Sequence, residues 1–196
     1  GQAQELEAPD DAPLGQAAAE KKVYVVPVRE DIMPPILYVI RRGVKEAMAA
    51  EADCLILDME TNGGRVDITE EIFDIVAKFS GLTVTYVNKD AYSAGAFIAV
   101  ATQKIYMGPQ SVIGTQAEKN GYAIDVVEAM VDKTKKLERD GKIICEEGDI
   151  LTLTNLEAEA KYGEAKTQLL SSGTVESIDA LIIELGYAGA QRGGGA

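Results

Sequence analysis

The chain of 196 residues contains no histidine. That absence removes every mechanism in which imidazole is the general base, including Ser-His-Asp hydrolases, Cys-His proteases and HExxH metalloenzymes. Cysteine is nearly absent as well. Cys54 and Cys145 are far apart and neither sits in a ligand-like spacing, so structural zinc is not expected. Cys54 opens the apolar run Cys54-Leu55-Ile56-Leu57 and reads as a small buried hydrophobe. A Cys54–Cys145 disulfide is left open, and with it the redox compartment. Basic charge is also short: 19 Lys and Arg stand against 32 Asp and Glu, for a net charge of −13. A surface that acidic does not suit nucleic acid, whose phosphates must be met by clustered Lys and Arg. No apolar run approaches the roughly 20 residues needed to cross a bilayer.

What is present is a 46% hydrophobic chain, enough for one domain with a full core or one domain plus an appendage. The first 20 residues hold five carboxylates and no Lys or Arg, with Pro9 and Pro13 among scattered Ala, Gly and Gln. Such a segment buries too little apolar surface to fold alone. The chain starts at Gly1 rather than Met, which leaves room for a preceding signal peptide. At the other end, Gly189 to Ala196 is Gly-rich and is expected to be disordered. The expected division is therefore an acidic flexible segment over 1–22, one folded domain over 23–188 and a Gly-rich tail over 189–196.

Between those ends short β-branched runs alternate with amphipathic stretches. Val23-Tyr24-Val25-Val26 predicts a strand ended by Pro27. Pro34-Pro35 opens a helix with Ile36, Val39, Ile40, Val44, Ala47 and Met48 on one face. Cys54 to Met59 reads as a strand buried on both faces, followed by a turn at Thr61-Asn62-Gly63-Gly64. Asp67 with Glu70 suggests a capping box for a helix carrying Ile72, Ile75, Val76 and Phe79, stopped by Gly81. Val84 to Val87 is a strand, Ser93 to Ala101 a helix of small residues, and Lys104 to Met107 a strand. This alternation argues for parallel βαβ units. Further on, Ala123 to Lys136 reads as helix, and Lys142 to Leu153 as two short strands around Glu146-Glu147-Gly148. Thr154 with Glu157 caps a helix ending near Gly163. Val175, Ile178, Leu181, Ile182 and Leu185 form a last amphipathic stripe.

Two loops carry candidate chemistry, because each follows a buried strand and ligands collect at the carboxyl ends of strands in α/β sheets. In Asn62-Gly63-Gly64 the paired glycines leave backbone N–H groups uncovered, able to face a developing oxyanion. An ordinary turn before a helix is the plain alternative. In Ala91-Tyr92-Ser93-Ala94-Gly95 a serine stands at a strand-to-helix corner, similar to a GxSxG elbow with Ala91 in place of the first Gly. There the plain alternative is an N-cap serine. Together the loops offer oxyanion donors and a nucleophile.

Four ordered segments give the chain a resemblance to a known family. They are Leu55 to Gly64 (LILDMETNGG), Ala91 to Ala99 (AYSAGAFIA), Ile105 to Gly114 (IYMGPQSVIG) and Leu151 to Thr154 (LTLT). They resemble the signal peptide peptidase A and NfeD-like membrane-associated serine peptidases of the Clp protease/crotonase superfamily. The resemblance implies an α/β fold, a repeated ββα spiral with a parallel sheet core and helices outside. It implies Ser93 as nucleophile and the N–H groups of Gly64 and Ala94 as the oxyanion hole, with no metal and no cofactor. Asn62 stands where the family commonly has Pro. The resemblance also implies a lysine base, in keeping with the missing histidine; such an amine works only when neutral, its pKa lowered by burial or a nearby cation.

No lysine here matches the base. Only Gln116 to Val126 separates the Ile-Gly-Thr segment from the stretch Val127 to Asp132. Lys119 falls at the turn after the family's lysine helix, while Lys133, Lys135 and Lys136 read as a solvated face. The expectation is that a loop and helix start of roughly 20–30 residues are absent after Gln116, the length of a functional loop. The implied substrates are hydrophobic peptides, such as signal-peptide remnants or membrane-protein segments. The implied setting is a homo-oligomer, extracytoplasmic or membrane-associated. Two alternatives stand beside this reading: an inactive scaffold or adaptor of the same fold, and a crotonase-type acyl-CoA enzyme, for which no basic cluster to hold CoA phosphates is evident.

Overall fold

The computed structural model describes residues 20–65, 67–114, 123–130 and 132–194. The acidic stretch 1–19, Lys119 and the point after Gln116 where a segment is expected to be absent lie outside the described residues.

Three parallel strands make the centre: β1 (Lys22–Val28), β2 (Cys54–Thr61) and β3 (Leu82–Tyr92). The crossovers are α1 (Pro34–Ala49) and α2 (Thr69–Val76). After β3, α3 (Ala94–Ala99) leads to β4 (Lys104–Met107), parallel to the first half of β3, and β5 (Val112–Gly114) pairs with its last three residues. Then come α4 (Ile124–Ala129), a hairpin of β6 (Leu137–Arg139) and β7 (Lys142–Cys145), and β8 (Leu153–Thr154), antiparallel to β5. The chain continues through α5 (Asn155–Glu159), a small antiparallel pair of β9 (Lys161–Tyr162) and β10 (Thr167–Gln168), and β11 (Gly173–Thr174) beside β4. It closes with α6 (Ile178–Glu184) and β12 (Gln191–Gly194). The main sheet runs β11-β4-β3-β2-β1-β12, with β5 and β8 attached along the upper half of β3. The fold is therefore α/β with a mostly parallel central sheet and helices packed outside it, as expected.

Both faces of the sheet are covered, as parallel strands require. Leu55, Leu57 and Met59 of β2 point into the larger core, under Ile36, Ile40 and Val44 of α1 and Ile72 of α2. Cys54 and Ile56, alternating with them, face a second core closed by Ile178, Leu181 and Ile182 of α6. Each such side chain taken fully out of water contributes about 1.5–3 kcal/mol.

Several local expectations are corrected. β1 runs through Pro27 to Val28, both in register with Asp58 and Met59 of β2. On α1, Val39 and Met48 are 41% and 48% exposed, and Leu37 and Gly43 take the buried places. Gly43 suits that place because a Cβ there would come within 2.4 Å of a Val26 methyl. Asp67 does not cap α2: Ile68 holds the cap position without a side-chain bond, and Asp67 pairs with Arg65 instead. α2 ends at Val76, and Phe79 is buried beyond it. β3 is longer than Val84 to Val87, and α3 is shorter than Ser93 to Ala101.

The C-terminal third departs furthest from the reading. Helix α4 stops at Ala129 rather than Lys136. The hairpin that follows turns on Asp140-Gly141, both at positive φ (52° and 73°), the pattern of a type I′ turn; Glu146-Glu147-Gly148 lies after its second strand. The Thr154–Glu157 capping box is present, but α5 ends at Glu159 because Lys161 and Tyr162 pair with Gln168 and Thr167. The Gly-rich tail is not without structure: Gln191 to Gly194 lie in parallel register beside Lys22 to Val25.

Cys54 and Cys145 are both free and buried, in different cores. Burial pushes the Cys54 thiol up to about 12 and raises that of Cys145 as well. Only the thiolate reacts with alkylating agents. Iodoacetamide at pH 8 is therefore expected to leave Cys54 unmodified in the native protein. It should add to both cysteines in unreduced, denatured protein, as read by intact mass; rapid native alkylation, or no addition without reductant, would contradict this.

Candidate active site

Ser93 stands where β3 ends and α3 begins, exposed to solvent. Its backbone has φ 49° and ψ −120°, a conformation that glycine adopts readily and other residues rarely. Its N–H donates to the Gly114 carbonyl at 3.0 Å, and its carbonyl accepts from the Phe97 N–H at 3.3 Å. Serine is thus pinned to the neighbouring strand β5 on one side and to the first turn of α3 on the other. Ala94 is the first residue of α3, a position whose N–H has no partner within the helix. Gly95 is required for packing, since a Cβ would approach Thr61 Cγ2 to 2.4 Å. The short residue two places after the serine lets α3 lie against the end of β2.

The glycine pair reaches the same edge from β2. The β2–β3 register shifts between Met59↔Val87 and Thr61↔Ala91, so two extra residues of β3 are accommodated just before the turn. Thr61 Oγ1 accepts from the Gly63 N–H at 3.1 Å. Gly63 packs against the serine: a Cβ on it would lie 2.7 Å from Ser93 Cβ. Gly64 forms a parallel bridge with Ile32, in which Ile32 N–H donates to Gly63 O at 2.8 Å and Ile32 O accepts from Arg65 N–H at 2.7 Å. Because Ile32 bonds to the residues on either side, the Gly64 N–H is turned to the opposite edge. Gly64 is exposed and Gly63 buried.

The structure thus brings the Gly63-Gly64 turn, Ser93 and Ala94 together. It adds Ile32, Thr61, Gly95 and Gly114, which hold them. Gly95 was visible in the motif. Ile32 left no local signal, because its contact joins segments 32 residues apart through backbone atoms only.

Beside the turn, the Arg29 guanidinium donates to Asp58 and, at 3.1 Å, to Glu60 Oε2. With the Asn88 side-chain oxygen facing Arg29, it accepts from both Nη1 and Nη2 at 2.9 Å. Burial pushes the Asp58 carboxyl above the usual carboxylate range, against the opposing pull of Arg29. Among the lysines expected to lie on a solvated face, Lys135 pairs with Glu128 at 3.0 Å and Lys136 with Glu138 at 3.5 Å, and Lys133 is exposed. They follow α4 in a turn segment rather than a helix. No group of carboxylate and thiol side chains placed to hold a metal occurs among the described residues.

Residues 22–121, just over half of the chain, match the family described as NfeD1b, N-terminal domain. The chain belongs to this family. A curated relative, membrane protein NfeD1b of Bacillus subtilis, is 32% identical over 200 residues, covering 91% of this chain and 44% of its own length. The chain thus spans less than half of that NfeD1b protein. Among solved structures, the 1510-N membrane protease specific for a stomatin homolog from Pyrococcus horikoshii superposes with a TM-score of 0.66 at 22% identity, covering 85% of this chain and 79% of the other. A Lys-to-Ala mutant of the 1510-N membrane-bound stomatin-specific protease, in complex with a substrate peptide, gives 0.65 at 20% identity, covering 91% and 93%. At these identities the likeness establishes that this NfeD1b-type domain shares their fold. Among the described residues no helix is long and apolar enough to cross a membrane.

A side chain is poorly tolerated at Gly64 of this NfeD1b-type domain. A Cβ would stand 2.4 Å from Ile32 O and 2.8 Å from Ile32 C and N, all backbone atoms, at φ 152°. Gly64→Ala is expected to lower stability by about 1–3 kcal/mol, the usual cost of overpacking, measured by chemical denaturation. An unchanged unfolding midpoint would show that the turn is not held against Ile32.

Proposed function

We propose that this domain is a serine peptidase in which Ser93 attacks a peptide carbonyl. The N–H groups of Gly64 and Ala94 hold the tetrahedral oxyanion, and a lysine amine takes the hydroxyl proton. The observation that carries this reading is the elbow: an exposed serine at φ 49°, packed against Gly63, beside a Gly64 N–H turned away from its own strand partner. A turn and an N-cap alone need neither the glycine-like backbone at Ser93 nor the close contact with Gly63. The substrate class is peptide, drawn from hydrophobic segments such as signal-peptide remnants or membrane-protein tails. This follows from the family resemblance and is supported by the fold shared with a protease whose structure is in complex with a substrate peptide. Assembly as a homo-oligomer and membrane association of the full-length protein belong to the same reading, the latter supported by the description of the Bacillus relative as a membrane protein.

The alignment to NfeD1b extends over 200 positions while 91% of this 196-residue chain enters it, so the relative carries residues within that span that have no counterpart here. Residues missing here relative to NfeD1b agree with the segment expected after about Gln116, where the family resemblance would seat the lysine. The same shortfall favours a second reading, a scaffold that keeps the fold and has lost its base.

An active-site-directed fluorophosphonate, applied to the full-length protein, separates the two. The peptidase reading expects covalent labelling of the wild type at Ser93, with labelling and peptide cleavage both abolished in Ser93→Ala at unchanged circular dichroism. A folded wild type that takes no label supports the scaffold.

A further inference from the structure

Where β2 leaves the sheet to form the glycine turn, its ladder to β3 is interrupted, and Arg29 occupies that interruption. Val28 pairs with Met59, and Met59 with Val87, which sets Arg29, Glu60 and Asn88 in one row across three strands. Asp58, two residues before Glu60, shares their face of the sheet. The guanidinium reaches all three partners: Asp58, Glu60 at 3.1 Å and the Asn88 amide oxygen at 2.9 Å. It thus ties β1 to β2 and β3 one residue before Thr61, whose hydroxyl receives the Gly63 N–H. On its other side, Arg29 is three residues from Ile32, whose N–H and carbonyl straddle Gly64. Both segments that aim the Gly64 N–H therefore start from this one side chain.

The cluster is poorly arranged for stability alone. The Asp58 side chain is 11% exposed, and its charge is buried against Arg29 and the Asn88 side chain. A buried ion pair gains little over apolar packing of the same volume, so its energy is a weak reason for its presence. A planar fork that fixes two carboxylates and an amide does supply geometry.

We propose that Arg29 is a positioning residue for the oxyanion turn, holding the Ile32 and Thr61 segments so that the Gly64 N–H faces the carbonyl attacked by Ser93. This rests on the reading of Gly64 as an oxyanion donor. Arg29 touches no reacting atom. Its loss leaves the core intact and the turn free to shift relative to Ser93.

Arg29→Met alone strands the Asp58 carboxylate, so the test pairs it with Asp58→Asn in the whole chain, beside Arg29→Lys. Two readouts are taken: the rate of fluorophosphonate labelling at Ser93, and hydrogen exchange at the Ile32 and Arg65 amides. Labelling of the double variant is expected to slow at least tenfold, with the Ile32 and Arg65 amides losing protection and core amides of β2 keeping theirs. Arg29→Lys, which keeps the charge but not the fork, is expected to slow labelling likewise while the core amides of β2 keep their protection. Wild-type labelling and protection in the double variant would overturn the proposal. If the wild type itself takes no label, the peptidase reading fails, and the exchange measurement still decides whether Arg29 holds the turn.

Discussion

Everything at the site depends on β2 and β3 lying side by side in parallel. Parallel neighbours deliver their carboxyl ends to the same edge, so the turn after β2 and the corner after β3 meet without a connection of their own. Each strand is locked by side chains on both faces, Leu57 and Met59 toward α1 and α2, Ile56 and Tyr86 toward α6. Sliding one strand along the other would move its residues to the wrong core. The placement of the Gly63-Gly64 turn against Ser93 is therefore set by the packing of both cores together.

A second layer of control comes from the fork in β3. Its first half is paired to β4 and its last three residues to β5. The serine N–H is bonded to Gly114, the final residue of β5, and β5 is in turn backed by β8. The small residues at Gly95 and Gly64 serve close approach, one to Thr61 and the other to Ile32. Glycine thus stands where elements approach most closely, against a side chain at Gly95 and against backbone at Gly64.

Much of this was legible from residue patterns, and the failures have common physical causes. The unbroken apolar run from Cys54 marked a strand covered on both faces, and Thr154 with Glu157 marked a true capping box, because both signals are local. Asp67 misled because Arg65, two residues away, offered a charged partner better than the helix amides. The tail beyond Gly189 misled because its place in the sheet comes from the free edge of β1, far away in sequence. The Asp140-Gly141 turn is a local signal too, an Asp-Gly pair at positive φ joining β6 to β7. Of the site, the serine, the glycine pair and Gly95 were readable as motifs, whereas Ile32, Arg29 and the Gly114 carbonyl act across long sequence separations through atoms that every residue possesses or through ordinary charges.

The backbone at Ser93 carries an energetic consequence. A non-glycine residue held in so sparsely populated a conformation costs of order 1–3 kcal/mol, a sizeable part of the margin by which a domain of this size stays folded. Glycine at 93 would remove that burden. A serine in that bend therefore carries a cost in stability that glycine would not.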